Sequence, residues 1–464
     1  MYNDFYQEEE LMSSLSSFEQ ALEHNESKYF EVHEFEYIID HYISAQNITS
    51  SKNAIQKALI IHPKSHEIQK RLAQVKNMEG QYESAIETLN NSFVSFGTDK
   101  DLDYFLILGE SFLGIGENKK ARDAFSRAIE LSEEEYFDIV TTVAALYQQE
   151  GYFEEVIYYL KSVENEDSSL LFDIGMSYHN LLDNKNAILY LEKFINQTPF
   201  SVDGWYYLGK SYQDSNRLED AEDAFLNTIA LDSELIIYQY DLAKVYIDQS
   251  KYLEALEVYK EILSKDKNVN HSIFLSIGDI SYNLEQFDNA KKNYEIAIRL
   301  NPESAEGYYS LAQVEIENES LELAKSFIQK AISIDANKAA FFVTLGTINQ
   351  LMGDVKSAEF SYLEAVNIDS NLNTAWHLLI DYYFFLDKPQ ESIDVAFKSL
   401  ANIDEEYSIY CKIAASFFDL DDTEQAVYYL KKAINIDSDA RVFFKEYYSE
   451  SDQNIHVKTL LGQL

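Results

Sequence analysis

Apolar and polar positions follow one another along most of the chain with the spacing of paired helices. In three segments that begin at Trp205, Phe274 and Phe342, an aromatic residue is followed three residues later by an aliphatic one and then by glycine. Alanine stands twelve residues beyond each glycine, and an aromatic residue stands four beyond that alanine. Spacings of three and four place side chains on one face of a helix. The pattern therefore predicts units of two antiparallel helices joined by a short turn.

The pattern recurs as twelve repeats when the aromatic residue of these segments is numbered 4. Position 7 is aliphatic in all twelve repeats, position 8 is glycine or alanine in ten, and position 20 is alanine in nine. Most repeats are 34 residues apart. Because one helix pair cannot bury both of its faces, the repeats are expected to stack. They begin at Val32, His66, Leu102, Phe137, Ser168, Val202, Ile236, His271, Ala305, Ala339, Asn373 and Tyr407.

Small residues mark the places where backbones should come close or turn. Glycine and alanine at positions 8, 20 and 27 are expected to let the helices approach, and a larger side chain there would overpack at a cost of ~1–3 kcal/mol. Glycine at position 15 predicts a left-handed residue that ends the first helix. The glycines at position 15 are Gly80, Gly116, Gly151 and Gly353.

The segments on either side of the repeats have the pattern of capping helices. We predict an N-terminal capping half-repeat over residues 1–31, with Phe18 and Ala21 at the buried positions of a second helix. The twelve repeats occupy residues 32–438, and a C-terminal capping helix and tail occupy 439–464. The last helix is predicted over 440–448, and a turn over 449–454. The tail, 455–464, either docks on the last repeat or binds elsewhere, and docking is favoured because exposed ends of repeat arrays need covering.

The spacing resembles that of the tetratricopeptide repeat, whose period is about 34 residues. The resemblance covers nearly the whole predicted array and implies an all-α fold, an α-solenoid that forms a right-handed superhelix. It also implies that the first helix of each repeat lines an inner groove, with positions 2, 5, 6, 9, 12 and 13 facing that groove. Members of this family act as binding scaffolds.

Charge and composition narrow the choice of partners. The formal net charge is −43, which repels nucleic acid and anionic membranes and attracts basic proteins. The alternative is that this charge serves solubility alone. A single cysteine, an acidic N-terminal segment and the lack of a long apolar run predict a cytoplasmic protein.

No group of residues in the sequence predicts catalysis, a metal or a cofactor. Cys411 has no histidine beside it in the sequence, and Gly109 to Gly114 lack the spacing of a nucleophile elbow. His62 and His66 are separated by Pro63, so they do not share one helix face. The short acidic runs at 8–10 and 133–135 are expected to be solvated surface. We therefore predict no enzyme, no cofactor and no small-molecule substrate.

The predicted groove has a mixed surface. The chaperone-binding subtype of the family holds a carboxylate with lysine at position 5 and asparagine at position 9, but the repeat with Lys70 and Arg71 has Gln74 at position 9. The asparagine ladder of the sugar-transferase subtype is also missing. The candidate partner-binding residues are Tyr206, Tyr207, Lys210, Tyr240, Lys244, Asp279 and Tyr309. The alternative for each tyrosine is that it packs between neighbouring helices.

These expectations lead to a non-catalytic scaffold that binds a partner protein or peptide, basic or mixed in charge, in the groove. The alternative is a regulatory or assembly subunit of an enzyme complex encoded elsewhere. The first would bind an extended or helical segment, and the second would bury a large interface.

Overall fold

The computed structural model describes residues 2–24, 26–96, 101–132, 135–163, 167–265, 270–404, 406–448 and 457, without the side chains of 2–11 and 93–96. These residues form twenty-six α-helices and no β-strand. The fold is therefore all-α, as the sequence predicts. The chain divides into two compact units, an N-terminal unit, Met1–Tyr238, and a C-terminal unit, Gln239–Leu464.

The helices alternate along the chain with short connections between them. The first thirteen are α1 Tyr2–Glu23, α2 Val32–Ser44, α3 Ile48–Ile61, α4 His66–Met78, α5 Tyr82–Phe96, α6 Leu102–Gly114, α7 Asn118–Leu131, α8 Tyr136–Gln149, α9 Phe153–Lys161, α10 Ser168–Asn180, α11 Asn184–Gln197, α12 Val202–Asp214 and α13 Leu218–Leu231. The other thirteen are α14 Ile236–Asp248, α15 Tyr252–Lys265, α16 His271–Asn283, α17 Phe287–Leu300, α18 Ala305–Glu317, α19 Leu321–Ile334, α20 Ala339–Leu351, α21 Val355–Ile368, α22 Asn373–Phe385, α23 Pro389–Ser399, α24 Tyr407–Asp419, α25 Thr423–Ile436 and α26 Ala440–Tyr447.

The first helices begin where the repeat numbering places them. Eleven of the twelve start at the residue numbered 1, and α8 starts one residue earlier, at Tyr136. In the repeats other than the seventh, the two helices pack closely against each other, and within each unit the second helix packs against the first helix of the following repeat. The apolar stripes that the sequence shows on both helices are therefore buried between them, as in Leu208 and Phe225 of repeat 6.

Every repeat turns through a residue with positive φ at position 15. Four of these residues are the predicted glycines, with φ between 73° and 77°. In each repeat the N–H at position 16 donates to the carbonyl at position 11, as Gln81 does to Lys76 over 2.8 Å. That bond closes the left-handed end of a helix. The other eight turns use residues with a side chain, at φ between 52° and 60°: Gln46, Leu182, Asn216, Ser250, Glu285, Glu319, Asp387 and Asp421.

The glycine at position 8 is in contact with the large residue at position 24 of the same repeat. A β-carbon added at Gly109 would lie 2.5 Å from Cδ1 of Phe125, and one at Gly346 would lie 2.6 Å from Cε1 of Tyr362. Both rings are fully buried. The prediction that small residues let the helices approach is therefore supported, and the residue that needs the space is identified.

Positions 8 and 24 complement each other in size along the chain. Four of the five repeats with glycine at position 8 have phenylalanine or tyrosine at position 24, and four of the five with alanine have leucine or isoleucine. The glycine pairs are Gly109 with Phe125, Gly209 with Phe225, Gly278 with Tyr294, and Gly346 with Tyr362. The alanine pairs are Ala73 with Leu89, Ala144 with Leu160, Ala312 with Ile328, and Ala414 with Leu430. The combined volume of the side chains at positions 8 and 24 is thus similar in these repeats, although the larger share of it varies.

Helices α1 and α26 cover the ends of the described array. Phe18 of α1 is buried and makes edge contacts with Phe30 and Phe35, at ring-centroid distances of 5.7 and 6.0 Å. At the other end, α26 packs more extensively on α24 than on α25. The predicted turn, 449–454, and the tail lie outside the described residues except for Val457, which is buried in the core that contains Phe444.

Candidate functional site

Within each unit, most consecutive first helices contact one another directly and more extensively than consecutive second helices do. The first helices therefore lie closer together and occupy the inner side of each unit. The side chains at positions 2, 5, 6, 9, 12 and 13 of these helices form what is called here the first-helix surface. This surface is the candidate site, and its chemistry differs from repeat to repeat.

In the N-terminal unit, the two predicted tyrosines have different surroundings. The ring of Tyr206 lies 6.0 Å from that of Phe225 and 5.1 Å from that of Tyr238, so it packs against its own second helix and the next first helix. Tyr207 lies 6.0 Å from Phe172 and 5.9 Å from His179 of the preceding first helix. Both tyrosines are half-buried. Both tyrosines therefore pack against rings of neighbouring helices, Tyr206 towards the following first helix and Tyr207 towards the preceding one.

Lys210 lies one turn beyond Tyr207 on α12 and is half-buried. Burial lowers the pKa of the neighbouring His179, Asp214 raises it, and the positive charge of Lys210 lowers it further. The Ser211 hydroxyl is 3.1 Å from His179 Nδ1. This part of the surface therefore combines aromatic rings with one cationic side chain.

In the C-terminal unit, the predicted residues fall on separate repeats. Tyr240 lies 6.2 Å from Tyr259 of the same repeat, and Lys244 is exposed. Asp279 accepts a hydrogen bond of 2.8 Å from the hydroxyl of Tyr294, the aromatic residue at position 24 of its own repeat. The structure therefore connects Asp279 to the packed core of its repeat.

Tyr309 has neighbours on its own helix and on the next first helix. Its ring lies 5.1 Å from that of Phe341 on α20, and its hydroxyl accepts a hydrogen bond of 3.1 Å from Gln313 Nε2. The side chain is half-buried. Its place between two first helices resembles that of Tyr207 in the N-terminal unit.

Arg71, which could have served a carboxylate clamp, is held by acidic residues of the chain itself. Its Nε and Nη2 donate to the two carboxylate oxygens of Asp40, over 2.8 and 2.6 Å. Glu36 and Glu67 lie 3.7 and 3.6 Å from its Nη1. The guanidinium is therefore used to join repeats 1 and 2.

Lys70 is also neutralised inside the protein. Its ammonium lies 2.9 Å from Glu67 and 2.9 Å from Asp101, while His66 Nε2 lies 2.8 Å from the same aspartate. His66, Glu67 and Asp101 have ligand atoms close enough together for a metal ion. The ammonium of Lys70 already interacts with both carboxylates, so it supplies the positive charge that a metal ion would otherwise bring.

The last described repeats of the C-terminal unit contain a second pair of the same kind. Lys412 at position 6 lies 2.8 Å from Asp381 at position 9 of the preceding repeat, the same relation that joins Arg71 to Asp40. The hydroxyl of Tyr447 on α26 donates to Asp381 over 2.8 Å. Burial lowers the pKa of Lys412, and the Asp381 carboxylate raises it. Helix α26 thus covers this end of the first-helix surface.

One acid at position 9 faces a cavity instead of a base. Glu110 on α6 accepts a hydrogen bond of 3.0 Å from Asn77 Nδ2 through its Oε2 atom. It borders a cavity of about 410 Å³, whose walls include Met78, Leu113 and Leu146. Burial raises the pKa of Glu110, the bond from Asn77 lowers it, and the charge of Glu150 raises it. The family resemblance places position 9 on the groove, but the cavity at Glu110 depends on residues from four repeats.

The other residues considered for chemistry have structural surroundings. Cys411 is fully buried, its Sγ lies 3.6 Å from the carbonyl oxygen of Ala440, and burial raises its pKa to about 12. His62 Nε2 lies 2.8 Å from the carbonyl oxygen of Phe30. In the described part of the chain, no helix has both the length and the apolar character of a membrane span.

Paired helices, left-handed turns and size-matched contacts between positions 8 and 24 define an α-helical repeat protein. A family model described as tetratricopeptide repeat matches residues 206–272 and 275–339, and a second with the same description matches 407–439. These matches fall on repeats 6 to 9 and on repeat 12. Over residues 206–272, 275–339 and 407–439 the chain therefore matches the tetratricopeptide repeat family.

Several characterised proteins are similar in sequence. Human protein O-mannosyl-transferase TMTC3 is 26% identical over 145 residues, 31% of this chain and 16% of that protein. The TPR repeat-containing protein MJ1428 of Methanocaldococcus jannaschii is 25% identical over 279 residues, 54% of this chain and 47% of that protein. The BBSome complex member BBS4 of Bos taurus is 21% identical over 355 residues, which are 76% of this chain and 66% of that protein. The chain spans less than two thirds of the length of each of these relatives.

Solved structures with the same kind of helical repeat are also similar. A tetratricopeptide repeat protein from Parabacteroides merdae matches 56% of this chain and 98% of its own, with a TM-score of 0.42 and 16% identity. The structure of the APC/C hetero-tetramer Cut9–Hcn1 matches 99% of this chain and 94% of its own, with a TM-score of 0.39 and 14% identity.

Proposed function

We propose that this chain is a non-catalytic scaffold that binds a partner protein or peptide on its first-helix surface. The observation that carries the proposal is the placement of Tyr207 and Tyr309 between consecutive first helices, where both remain partly accessible. Half-buried aromatic side chains supply much of the binding energy in protein interfaces. The match to the tetratricopeptide repeat family supports the same function.

The charge of the surface favours a basic or mixed partner. The chain has a net charge of −43, and the basic residues Arg71, Lys70 and Lys412 are already paired with its own carboxylates. A basic segment would therefore approach an acidic field, and its association should weaken as salt rises. Nucleic acid, membranes and small molecules are not the partners that we propose.

Capture from an extract of the native cells at low salt, followed by mass spectrometry, tests the proposal with two groove variants. One changes Tyr207 and Lys210 to alanine in the N-terminal unit, and the other changes Tyr309 to alanine in the C-terminal unit. The matched control changes Tyr158, which is 65% exposed on a second helix, and the exposed Lys119 to alanine. Unchanged helicity and melting are required of all variants before capture.

The expected result is a partner that is retained by the control and lost with one groove variant. Purified partner should then bind the parent chain with an affinity that falls as salt is raised. A partner that every variant retains would contradict the placement of the site on the first-helix surface.

A second candidate function is that of a regulatory or assembly subunit of an enzyme complex. Second helices of the C-terminal unit expose aromatic side chains, with Phe360 62% and Tyr428 59% accessible. One relative, BBS4, is named as a member of a complex. Under this alternative, a co-purifying enzyme should be lost from a double variant with Phe360→Ser and Tyr428→Ser. Both groove variants should retain that enzyme.

The remaining expectations belong to the same proposal. We infer that residues 1–31 form an N-terminal capping half-repeat, 32–438 the twelve repeats, and 439–464 a C-terminal capping helix and tail. We also infer a cytoplasmic location, where a single buried cysteine would remain reduced. Limited proteolysis would test the division, because cleavage should be confined to the two terminal segments.

A further inference from the structure

The cavity beside Glu110 is partly open to solvent, and its walls come from four consecutive repeats of the N-terminal unit. Its volume of about 410 Å³ is far larger than the ~30 Å³ that one water molecule occupies. Met78, Leu113 and Leu146 supply apolar walls, and Glu110 and Glu150 supply carboxylates. None of its lining residues, all in the described part of the chain, is basic.

Only one of the two carboxylate oxygens of Glu110 accepts a hydrogen bond from the described residues. Oε2 accepts from Asn77, which is itself fixed because its Nδ2 also donates to the Ile107 carbonyl and its Oδ1 accepts from the Ser111 hydroxyl. Among the described residues, no donor bonds to Oε1 of Glu110. A half-buried carboxylate with a vacant oxygen and no nearby cation is costly, since burial without a partner disfavours the charged form.

Two of the three other acids at position 9 bind a cation from the next repeat, and the third, Asp279, accepts a hydrogen bond from the Tyr294 hydroxyl. Asp40 binds the guanidinium of Arg71, and Asp381 binds the ammonium of Lys412, in both cases from position 6 of the next repeat. The residue at position 6 after Glu110 is Thr142, whose hydroxyl donates to the backbone carbonyl of Asp138 over 2.7 Å. The chain therefore supplies an internal cation at two such acids and none at Glu110.

We propose that this cavity receives the side chain of a lysine from the partner protein, with its ammonium on Glu110 and its aliphatic stem along Met78, Leu113 and Leu146. Lysine fits better than arginine because one free carboxylate oxygen suits a point-like ammonium, whereas a guanidinium prefers two oxygens, as on Asp40. Glu150 adds negative charge at the rim. The inference deepens the proposed scaffold function and depends on it.

The test is a titration of the isolated full-length chain with a small probe, N-acetyl-lysine N-methylamide, at constant ionic strength. Methionine labelled with 13C at its terminal methyl group gives five candidate signals, and Met78→Leu assigns the one that borders the cavity. The neutral comparison is N-acetyl-norleucine N-methylamide, which has a similar stem without the ammonium. The expected result is a saturable shift of the Met78 signal with the lysine probe and none with norleucine.

Two variants and one control sharpen the result. Glu110→Gln should weaken binding of the lysine probe by about tenfold or more, which corresponds to about 1.4 kcal/mol. Thr142→Arg copies the internal pair of Asp40 and Arg71 and should occupy the cavity, so the probe should no longer bind. Glu219→Gln removes an exposed carboxylate of the same unit and should leave binding unchanged.

Equal binding of both probes, or no shift with either, would overturn the proposal. Binding that survives Glu110→Gln would also overturn it, because the ammonium would then lie elsewhere. The titration needs no partner, so its failure would remove the lysine site and leave the scaffold proposal to the capture experiment. Loss of all groove binding in that experiment, with the titration intact, would instead show that the cavity binds lysine without serving a partner there.

Discussion

The contact between positions 8 and 24 makes a sharp prediction about Gly109 in helix α6. In the parent chain, Gly109→Ala forces a methyl group to within 2.5 Å of the Phe125 ring, which is fully buried and 5.4 Å from the Tyr147 ring. A contact that short cannot persist, so the Phe125 ring would have to shift within the packed core. With leucine at position 125, the pair would become the alanine–leucine combination that repeats 2, 4 and 12 already use.

Two opposing terms set the magnitude. Overpacking of a filled core costs ~1–3 kcal/mol, and alanine in place of glycine inside a helix gains ~0.5–1 kcal/mol. Gly109→Ala should therefore destabilise the parent by about 1 kcal/mol, within a range of about 0–2.5 kcal/mol. In a Phe125→Leu background the overpacking disappears, and the same substitution should stabilise by about 0.5–1 kcal/mol. The sign of the effect is thus expected to reverse.

Urea unfolding followed by circular dichroism measures the four free energies of this cycle. Because a repeat array can unfold in stages, hydrogen exchange of the α6 and α7 amides supplies the local value. Ala144→Gly, in a repeat that already has Leu160 at position 24, measures the reverse change in a matched pair, where helix propensity and the loss of one buried methyl group act together. If Gly109→Ala has the same sign in both backgrounds, the size-matching explanation is wrong and the glycine is there for another reason.

Three other substitutions test the turns and the charges. Leu182→Gly should raise the free energy of unfolding by about 0.5–1 kcal/mol, since a side chain at φ +60° is strained by ~1–2 kcal/mol and glycine is not. Asp381→Leu should cost about 3–5 kcal/mol in urea unfolding because it leaves buried Lys412 unpaired, and a second change, Lys412→Met, should recover most of that loss. Glu110→Gln should raise the melting temperature at neutral pH. Because burial raises the pKa of Glu110, the folded state holds this proton more tightly than the unfolded state, so ionisation destabilises the fold as pH rises through the raised pKa. The gain from Glu110→Gln should therefore fade as the pH is lowered below the ordinary pKa of glutamate, and a gain that is constant with pH would contradict this assignment.

The repeat numbering could be obtained from the sequence because it depends on local spacing alone. Aliphatic residues at position 7 and small residues at position 8 fix the face of the first helix, and eleven first helices begin at the expected residue. The turns were only partly predictable. Glycine signals a positive φ at position 15, but Leu182 and Glu285 adopt the same conformation without any signal in their own side chains. They do so because the hydrogen bond from position 16 to position 11 and the packing of both helices fix the backbone there.

The surface chemistry was harder to predict because it depends on pairs from different repeats. Tyr206 and Tyr207 are adjacent and chemically identical, yet Tyr206 packs against Phe225 and Tyr238 whereas Tyr207 lies between two first helices. Sequence spacing assigns both to the groove. Only the stacking of neighbouring repeats decides which rings each tyrosine contacts, and the role of all seven candidate residues in binding stays a prediction.

Two sets of positions make different kinds of contact in this chain. Positions 8 and 24 fill the space inside a repeat, and a change at one requires a change at the other, as Gly109 with Phe125 illustrates. Positions 6 and 9 join first helices through charge in two places, whereas Asp279 at position 9 bonds to Tyr294 at position 24. Where both members are charged, as in Asp40 with Arg71, the two side chains bind each other inside the protein. Where the base is missing, as at Glu110, the fold bears an unpaired carboxylate, and a partner's lysine would relieve that cost only when it binds.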